Sequence, residues 1–367
     1  MKKRMLPLLL CLFMAFSLLA GCAGPAPASS SDPHAGDWIG PGPSPTPSAE
    51  PTEGPITLTD QTGREVTVEA PAQKIVSGYY ISTSACIALG LKDRMVGIEN
   101  KIIPIYDLAA PEFHDLPKVG TAKQFDLETC LSLDPDLVIL PKKLKDAADT
   151  LSEHGVPVLL VDPEDQAQLV DMLELIGKAT GTEAMAAALA SMYEQGAAEL
   201  AALVPEDGSV PTPKVYMAGN GSYLTTAPKD MYQATLIRMG GGVNAGDELP
   251  GDSWTDISYE QLLAMDPEVI LLPSDASYTV DDVLGDAQLS GVRAVKDGHV
   301  YAMPGAFEAW DSPVPSCVLG SKWIMAVLHP DLYSMEQMRT DAAAFYQVFY
   351  GIKIDTSLIT DITTGLG

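Results

Sequence analysis

The sequence predicts an α/β protein with two Rossmann-like lobes, each built on a parallel central sheet, joined by a single long backbone helix. The first observation behind this prediction is an internal repeat, in which residues 128–141 align without a gap on residues 260–273. The second is residues 183–203, an Ala-, Met-, Leu- and Glu-rich run without proline that is typical of one long helix. The third is the alternation of strand-length apolar runs with helical segments, which favours parallel sheets covered by helices on both faces.

Each copy of the repeat predicts the same local structure. A short amphipathic helix comes first, an Asp-Pro turn follows at Asp134 or Asp266, and a continuous apolar run ends at Pro141 or Pro273. Continuous apolar runs of that length are expected of strands buried on both faces of a parallel sheet. The copies lie too far apart in the chain for a solenoid, so they indicate two similar lobes.

Further strand and helix signals complete both lobes. Gly90 ends the first predicted helix, and a glycine run from Gly240 ends the helix after the first strand of the second lobe. The expected strands lie at residues 74–77, 95–98, 156–161, 214–218 and 299–303, and the expected helices at 82–89, 231–239 and 316–328.

Composition divides the chain into six segments. Residues 23–55 are rich in Pro, Ser, Ala and Gly and almost lack large apolar side chains, which predicts a disordered, proline-stiffened tether. The predicted segments are a signal peptide at 1–21, the tether at 22–55, an N-terminal lobe at 56–180, a linking helix at 181–204, a C-terminal lobe at 205–355 and a tail at 356–367.

The N-terminus predicts export and lipid attachment. Three basic residues precede an apolar run from Leu6 to Leu19 that is too short to span a bilayer comfortably. The residues Leu19-Ala20-Gly21-Cys22 resemble the lipobox of bacterial lipoproteins, in which the cysteine is acylated. We therefore expect the chain to be held at the extracytoplasmic face of a membrane through Cys22; the alternative is an ordinary secretory signal with an incidental cysteine.

Charge and cysteine content exclude several classes of protein. The precursor carries a formal net charge of −27, which argues against binding nucleic acid or an anionic lipid surface. Beyond the leader and Cys22, only Cys86, Cys130 and Cys317 remain, without CxxC or zinc-finger spacing. Buried free thiols are the favoured interpretation, and one disulfide stays open.

Four motifs, taken in order, resemble one family. They lie at residues 88–97, 134–139 with its copy in the second lobe, 241–245 and 295–301. Together with the two lobes and the linking helix, they resemble the class III substrate-binding proteins of ABC importers for iron-siderophores, haem and cobalamin. The resemblance covers roughly residues 56–350. It implies a monomeric, non-enzymatic capture protein without an intrinsic cofactor, which would deliver its ligand to an ABC permease and the ATPase of that permease.

The resemblance also implies two docking residues. Members of the family dock on the permease through one acidic residue at the tip of each lobe, and the matching positions are Glu128 and Glu260. Exposed carboxylates form charge-assisted, often bidentate bonds with arginine, which suits orientation of one protein on another. The alternative is that each glutamate only stabilises the N-terminus of its helix.

Ligand is expected in the cleft between the lobes, at the carboxyl ends of the strands. Aromatic side chains suit a large, flat chelate because they supply contact area at low entropic cost. A tryptophan at the position of Trp254 is also found in cobalamin-binding relatives. The candidate ligand-binding residues are Tyr79, Tyr80, Lys123 and Gln124 in the first lobe, with Tyr223, Trp254 and Trp310 in the second.

The class of ligand is left partly open by the sequence. Tyr79 or Tyr80 is a candidate phenolate ligand for haem iron, but the five histidines do not pair at ligand spacing, which disfavours capture of bare zinc or manganese. An iron chelate, haem or cobalamin remains, and the few candidate cations of the cleft favour cobalamin or a neutral chelate. The alternatives to transport are an extracellular enzyme, for which no GxSxG or HExxH motif is present, and a two-lobed ligand sensor.

Overall fold

A computed structural model describes residues 54–251 and 253–360. The predictions for the signal peptide, for Cys22 and for nearly all of the tether lie outside the described residues. No helix in the described ranges is long and apolar enough to cross a membrane.

The N-terminal lobe is built on four parallel strands. A hairpin of β1 (Ile56–Thr59) and β2 (Glu65–Val68) precedes them. The sheet has the order β4-β3-β5-β6, in which the first strand lies between the second and the third. Its strands are β3 (Ile75–Ser77), β4 (Met95–Ile98), β5 (Leu137–Pro141) and β6 (Val158–Val161), and the helices of the lobe are α1 (Tyr80–Ala88), α2 (Pro104–Ala109), α3 (Leu127–Ser132), α4 (Lys145–Glu153) and α5 (Gln166–Thr180).

A single long helix, α6 (Glu183–Leu203), follows the N-terminal lobe. The predicted helix covers the same residues. Gly181 ends α5 in the left-handed conformation, with φ of 72°, and turns the chain into α6. The hydroxyl of Thr182, the residue before α6, lies 2.9 Å from the hydroxyl of Thr180 and makes no cap bond to the helix.

The C-terminal lobe repeats the strand order of the first. Its sheet runs β12-β11-β7-β9, so here too the first strand lies between the second and the third. The lobe adds a small antiparallel pair, β8 (Thr225–Thr226) with β10 (Thr255–Asp256). The sheet strands are β7 (Lys214–Met217), β9 (Val243–Asn244), β11 (Val269–Leu272) and β12 (Val300–Ala302), and the helices are α7 (Tyr232–Met239), α8 (Tyr259–Met265), α9 (Val280–Gly285), α10 (Arg293–Asp297), α11 (Val318–Leu328) and α12 (Met335–Phe349).

The two copies of the sequence repeat adopt the same backbone conformation. Its copies form α3, a turn and β5 in one lobe, and α8, a turn and β11 in the other. Asp134 and Asp266 have φ of 49° and 43°, and among the described residues they are the two non-glycines with positive φ. A proline follows each, which disfavours continuation of the helix. The predicted two-lobed α/β fold is confirmed.

Alternate residues of the repeated strands face different cores. Leu137 and Ile139 of β5 belong to a large cluster that also includes residues of α6 and of the C-terminal lobe. Val138 and Leu140 belong to a smaller cluster on the opposite face of the same sheet. β11 alternates in the same way, so both sheets are buried on both faces, as their continuous apolar sequences predict.

Two sequence predictions need adjustment. The helix expected from Ser82 begins at Tyr80, so the second tyrosine of the pair is already helical. Part of the predicted tail is packed against the C-terminal lobe: Ile359 is buried, and the indole N–H of Trp323 donates to the carbonyl of Thr360 at 2.8 Å.

Cys86, Cys130 and Cys317 are buried free thiols, as the sequence favours.

Candidate functional site

Tyr79 and Tyr80 lie between the two lobes, at the carboxyl end of β3. Both rings are half-buried and meet edge to face, with centroids 5.4 Å apart. The Tyr80 hydroxyl donates to Oγ of Ser312 at 3.4 Å, in the loop that follows the last strand of the C-terminal lobe. The Lys101 ammonium lies 4.1 Å from the centre of the Tyr80 ring, a cation–π contact. Tyr80 therefore contacts groups from both lobes.

Burial and nearby carboxylates both affect the pKa values of the two tyrosines. Burial raises the pKa of Tyr79, and the neighbouring Tyr80, Glu164 and Asp162 raise it further. Burial also raises the pKa of Tyr80; its hydrogen bond with Ser312 opposes this, and nearby carboxylates add to it. Both phenols are therefore protonated at neutral pH, and a phenolate–iron bond would require the metal to displace the proton.

The carboxylates form two pairs of like charge, one from each lobe. In the N-terminal lobe, Asp162 and Glu164 follow β6, and burial together with Asp162 raises the pKa of Glu164. In the C-terminal lobe, burial together with Asp275 raises the pKa of Asp311. The neighbouring carboxylate thus disfavours the charged form of Glu164 in one pair and of Asp311 in the other.

Lys123 and Gln124 are exposed in the loop before α3. Gln124 lines an open, polar cavity of about 450 Å³ together with Asn100, Lys118, Gly120, Thr121, Phe125, Asp126 and Leu127. A Cβ on Gly78, the residue before Tyr79, would come within 2.9 Å of the Phe125 ring. The cavity therefore lies near the chain segment that leads into the tyrosine pair.

The two half-buried C-terminal candidates have different surroundings. Trp254 packs against the large core cluster, as Tyr79 and Tyr80 do. Tyr223 packs instead against the cluster within its own lobe, and its hydroxyl donates to Oδ2 of Asp286 at 2.8 Å. The hydroxyl of Tyr223 is thus already used inside the lobe.

The prediction that Trp310 lines the cleft is wrong. Its side chain is 0% exposed and belongs to the core. The indole N–H donates to the Tyr346 hydroxyl at 3.1 Å, and a Cβ on Gly320 would come within 2.6 Å of the Trp310 carbonyl oxygen. The loop after β12 turns inward at this residue because a large apolar ring gains most from full burial, and α12 supplies the partner for its N–H.

Glu128 and Glu260 are exposed, each at the second position of a repeated helix. Other residues cap these helices: Asp126 accepts the Thr129 amide at 2.9 Å, and Ser258 Oγ accepts the Gln261 amide at 3.2 Å. A hydrogen bond from its own backbone N–H lowers the pKa of Glu260. Neither glutamate is the capping residue of its helix, and both are exposed at matching positions of the two lobes.

The carboxylates near the tyrosine pair were not among the site residues predicted from the sequence. Asp162 directly follows a predicted strand and Asp275 lies two residues after another, which is the same signal that nominated the tyrosines. Asp311 carried no such signal, because its position beside Ser274 depends on the course of a long loop. In the described ranges, no three His, Cys, Asp or Glu side chains are arranged to hold a metal ion.

Comparison with known proteins identifies the family. The periplasmic binding protein family matches residues 75–306. The molybdate-binding protein MolA of Haemophilus influenzae is 25% identical over 325 residues, 80% of this chain and 90% of MolA. The cobalamin-binding protein of Halobacterium salinarum is 25% identical over 250 residues, 68% of this chain and 66% of that protein. A crystal structure of a periplasmic solute-binding protein from Veillonella parvula superposes with a TM-score of 0.73 at 26% identity, over 84% of this chain and 97% of that one. The chain belongs to the periplasmic binding protein family and is a class III substrate-binding protein of the ABC transporter type.

Proposed function

We propose that this protein captures a metal chelate, namely an iron-siderophore, haem or cobalamin, between its lobes and delivers it to an ABC permease. The proposal rests on Tyr80, which follows the first strand of one sheet and contacts Ser312 of the other lobe. Carboxyl ends of parallel strands, where two lobes meet, are a common place for a ligand in α/β proteins. The name of the Halobacterium relative supports cobalamin as one candidate.

The aromatic side chains favour a chelate over a bare ion. Tyr79, Tyr80 and Trp254 are half-buried and pack against one cluster, so they offer rigid apolar area to a flat ligand. Lys123 and Gln124 would add polar contacts at the rim. Tyr223 would contribute its ring more than its hydroxyl, which Asp286 already binds.

Docking and anchoring complete the proposal. Glu128 and Glu260 would each pair with an arginine of the permease, one per lobe, and lipid on Cys22 would keep the protein near that permease at the extracytoplasmic face. A ligand sensor would not need both glutamates, so their matching exposure favours transport over sensing. The relatives are named as binding proteins, which supports a role without catalysis and without a resident cofactor.

Tryptophan fluorescence of the mature protein tests capture. Titration with cyanocobalamin, hemin and ferric siderophores should give saturable quenching by at least one of them, together with a higher melting temperature. Trp254→Ala should raise the Kd for the probe that binds, because it removes a half-buried ring that packs against the same cluster as Tyr79 and Tyr80. Trp38→Ala, in the predicted tether, is the matched control and should leave the Kd unchanged. Absence of quenching and of stabilisation by every probe would show that the proposal is wrong.

A further inference from the structure

A buried carboxyl group lies next to the first turn of α1 and takes no part in the proposed function. Glu99 directly follows β4 and is 3% exposed. The Thr83 hydroxyl donates to its Oε2 at 2.6 Å, and the Tyr106 hydroxyl donates to its Oε1 at 2.6 Å. Burial raises the pKa of Glu99; the two hydrogen bonds oppose that rise, and so does Lys118, whose ammonium donates to the Phe113 carbonyl. Because burial of a carboxyl group is costly, these bonds make Glu99 a candidate for a specific role.

The Thr83 hydroxyl connects Glu99 to the turn before α1. It lies 2.8 Å from Ser77 Oγ and 3.2 Å from the carbonyl oxygen of Tyr79. The hydroxyls of Ser77 and Ser82 lie 3.0 and 2.9 Å from that carbonyl oxygen and 2.8 Å from each other. All three hydroxyl-bearing residues are fully buried, so bulk solvent does not compete for these bonds. A chain of buried hydroxyls, formed by these three residues, therefore runs from Glu99 to the backbone of Tyr79.

The number of hydrogens makes Glu99 necessary to this chain. The Thr83 hydroxyl carries one hydrogen and has three acceptors within 3.2 Å, so it can donate fully to only one of them at a time. The carboxylate is the nearest of the three and, when ionised, can only accept, so it takes this hydrogen. Without Glu99, the hydrogen of Thr83 would turn to Ser77 or to the Tyr79 carbonyl. The bonds that hold the carbonyl of Tyr79 would then be redistributed.

Tyr79 relies on these bonds because its side chain does not cap α1. It precedes the helix in an extended conformation, without a side-chain cap bond. Its carbonyl oxygen also accepts the backbone N–H of Thr83 at 2.9 Å, so the same oxygen fixes the start of the helix. Two residues after Glu99, the Lys101 ammonium lies over the Tyr80 ring. Glu99 therefore links the end of β4 to the start of α1, the two segments whose side chains meet at Tyr80.

We infer that Glu99 is a positioning residue: through the Thr83 hydroxyl it fixes the turn that presents the rings of Tyr79 and Tyr80 to the ligand. This inference rests on the proposed function and adds to it a residue that need not touch the ligand. A shift in the turn would move both rings together, because Tyr79 ends the turn and Tyr80 begins the helix. Loss of the link should therefore weaken binding more than loss of an equal hydrogen bond elsewhere in the lobe.

A double-variant cycle on the Kd for cyanocobalamin, hemin or ferrioxamine B, whichever binds, tests the inference. Thr83→Val removes the hydroxyl with little change in shape, and Glu99→Gln keeps the shape but turns an amide N–H toward one of the two hydroxyls. Each should raise the Kd about fivefold, the equivalent of one neutral hydrogen bond. The double variant should bind no more weakly than the weaker single variant, because both changes break one link. Thr83→Ser keeps the hydroxyl and should restore the original Kd.

Thr180→Val is the matched control. Thr180 is buried in the same lobe, and its hydroxyl donates to the Ile176 carbonyl at 2.7 Å within α5. The control should lower the melting temperature as Thr83→Val does, but it should leave the Kd unchanged. Hydrogen exchange measured by mass spectrometry adds a readout without ligand: residues 77–84 should exchange faster in Thr83→Val and in Glu99→Gln, and at the original rate in the control.

The outcomes separate this inference from the proposed function. Additive effects of the two changes on the Kd, or a Kd that neither change alters, would overturn the positioning role of Glu99 while capture stands. If none of the probes binds the original protein, the proposed function fails. Faster exchange confined to residues 77–84 would then still support the role of Glu99 in holding the turn, and unchanged exchange there would refute it.

Discussion

The two lobes share one scaffold and differ at one edge. Both sheets place the first strand between the second and the third, and both contain the same helix, Asp-Pro turn and buried strand. At the carboxyl edge the lobes diverge. In the N-terminal lobe β3 leads directly into the tyrosine pair and α1, whereas in the C-terminal lobe β7 leads into a longer connection that contains β8 and Tyr223. Glu128 and Glu260 therefore lie on the helices that the two lobes share. Tyr79, Tyr80 and Tyr223 lie on the connections in which the lobes differ.

Within the shared scaffold, equivalent positions keep a role even where the residue changes. The backbone N–H of Lys74 donates to Asp136 at 2.8 Å, and that of Lys214 donates to Glu268 at 3.3 Å, so an acid after the turn holds the first strand in both lobes. The helix cap is Asp126 in one lobe and Ser258 in the other. A role tied to backbone geometry tolerates any side chain that supplies the same acceptor.

Charge reversal of the paired glutamates should have the largest effect. Glu128→Arg or Glu260→Arg is expected to lower chelate uptake by cells about tenfold or more, because a like charge then faces a permease arginine, while the Kd for the chelate stays unchanged. Glu153→Arg, on an exposed helix end of the N-terminal lobe, serves as the control and should preserve uptake. Normal uptake by either docking variant, or a weakened Kd, would contradict the docking assignment.

Truncation of the repeated strands tests whether the two lobes are equally packed. Leu140 and Leu272 occupy equivalent positions in β5 and β11 and are buried. Leu140→Ala and Leu272→Ala should each lower the free energy of unfolding by about 2–5 kcal/mol in urea titrations, because each leaves a cavity between sheet and helices. Leu263→Ala, at a partly exposed position of α8, should change it by about 0.5 kcal/mol or less. A loss below about 1 kcal/mol in only one lobe would show that the two cores are not equivalent.

The smallest predicted effect is a difference in acid sensitivity between the two helix caps, Asp126 on α3 and Ser258 on α8. Hydrogen bonds from the backbone and side chain of Thr129 lower the pKa of Asp126, so this cap stabilises the folded state above the unfolded pKa of about 3.9 and is lost as pH falls through the lower folded value. Ser258 does not titrate. Amide exchange should therefore show the Thr129 N–H losing protection in acid, while the Gln261 N–H keeps it as long as the protein is folded. Asp126→Ser should abolish the difference, and equal acid sensitivity of both amides would refute it.

Local sequence patterns were enough to predict the fold class, the repeat and the long helix α6. Apolar periodicity, the Asp-Pro turns and the helix-forming composition of residues 183–203 act over a few neighbouring residues, so they are visible without the fold. The repeat also identified Glu128 and Glu260 as equivalents, because equal spacing from the turn gives equal positions on α3 and α8.

Which side chains lie together between the lobes could not be predicted from local sequence patterns. Trp310 follows the last strand, as a cleft residue would, but a hydrogen bond to Tyr346 of α12 holds it in the core. Tyr80 meets Ser312, 232 positions further along the chain. Contacts of that kind depend on how two sheets and a long helix pack against each other, and local sequence patterns carry no record of that packing.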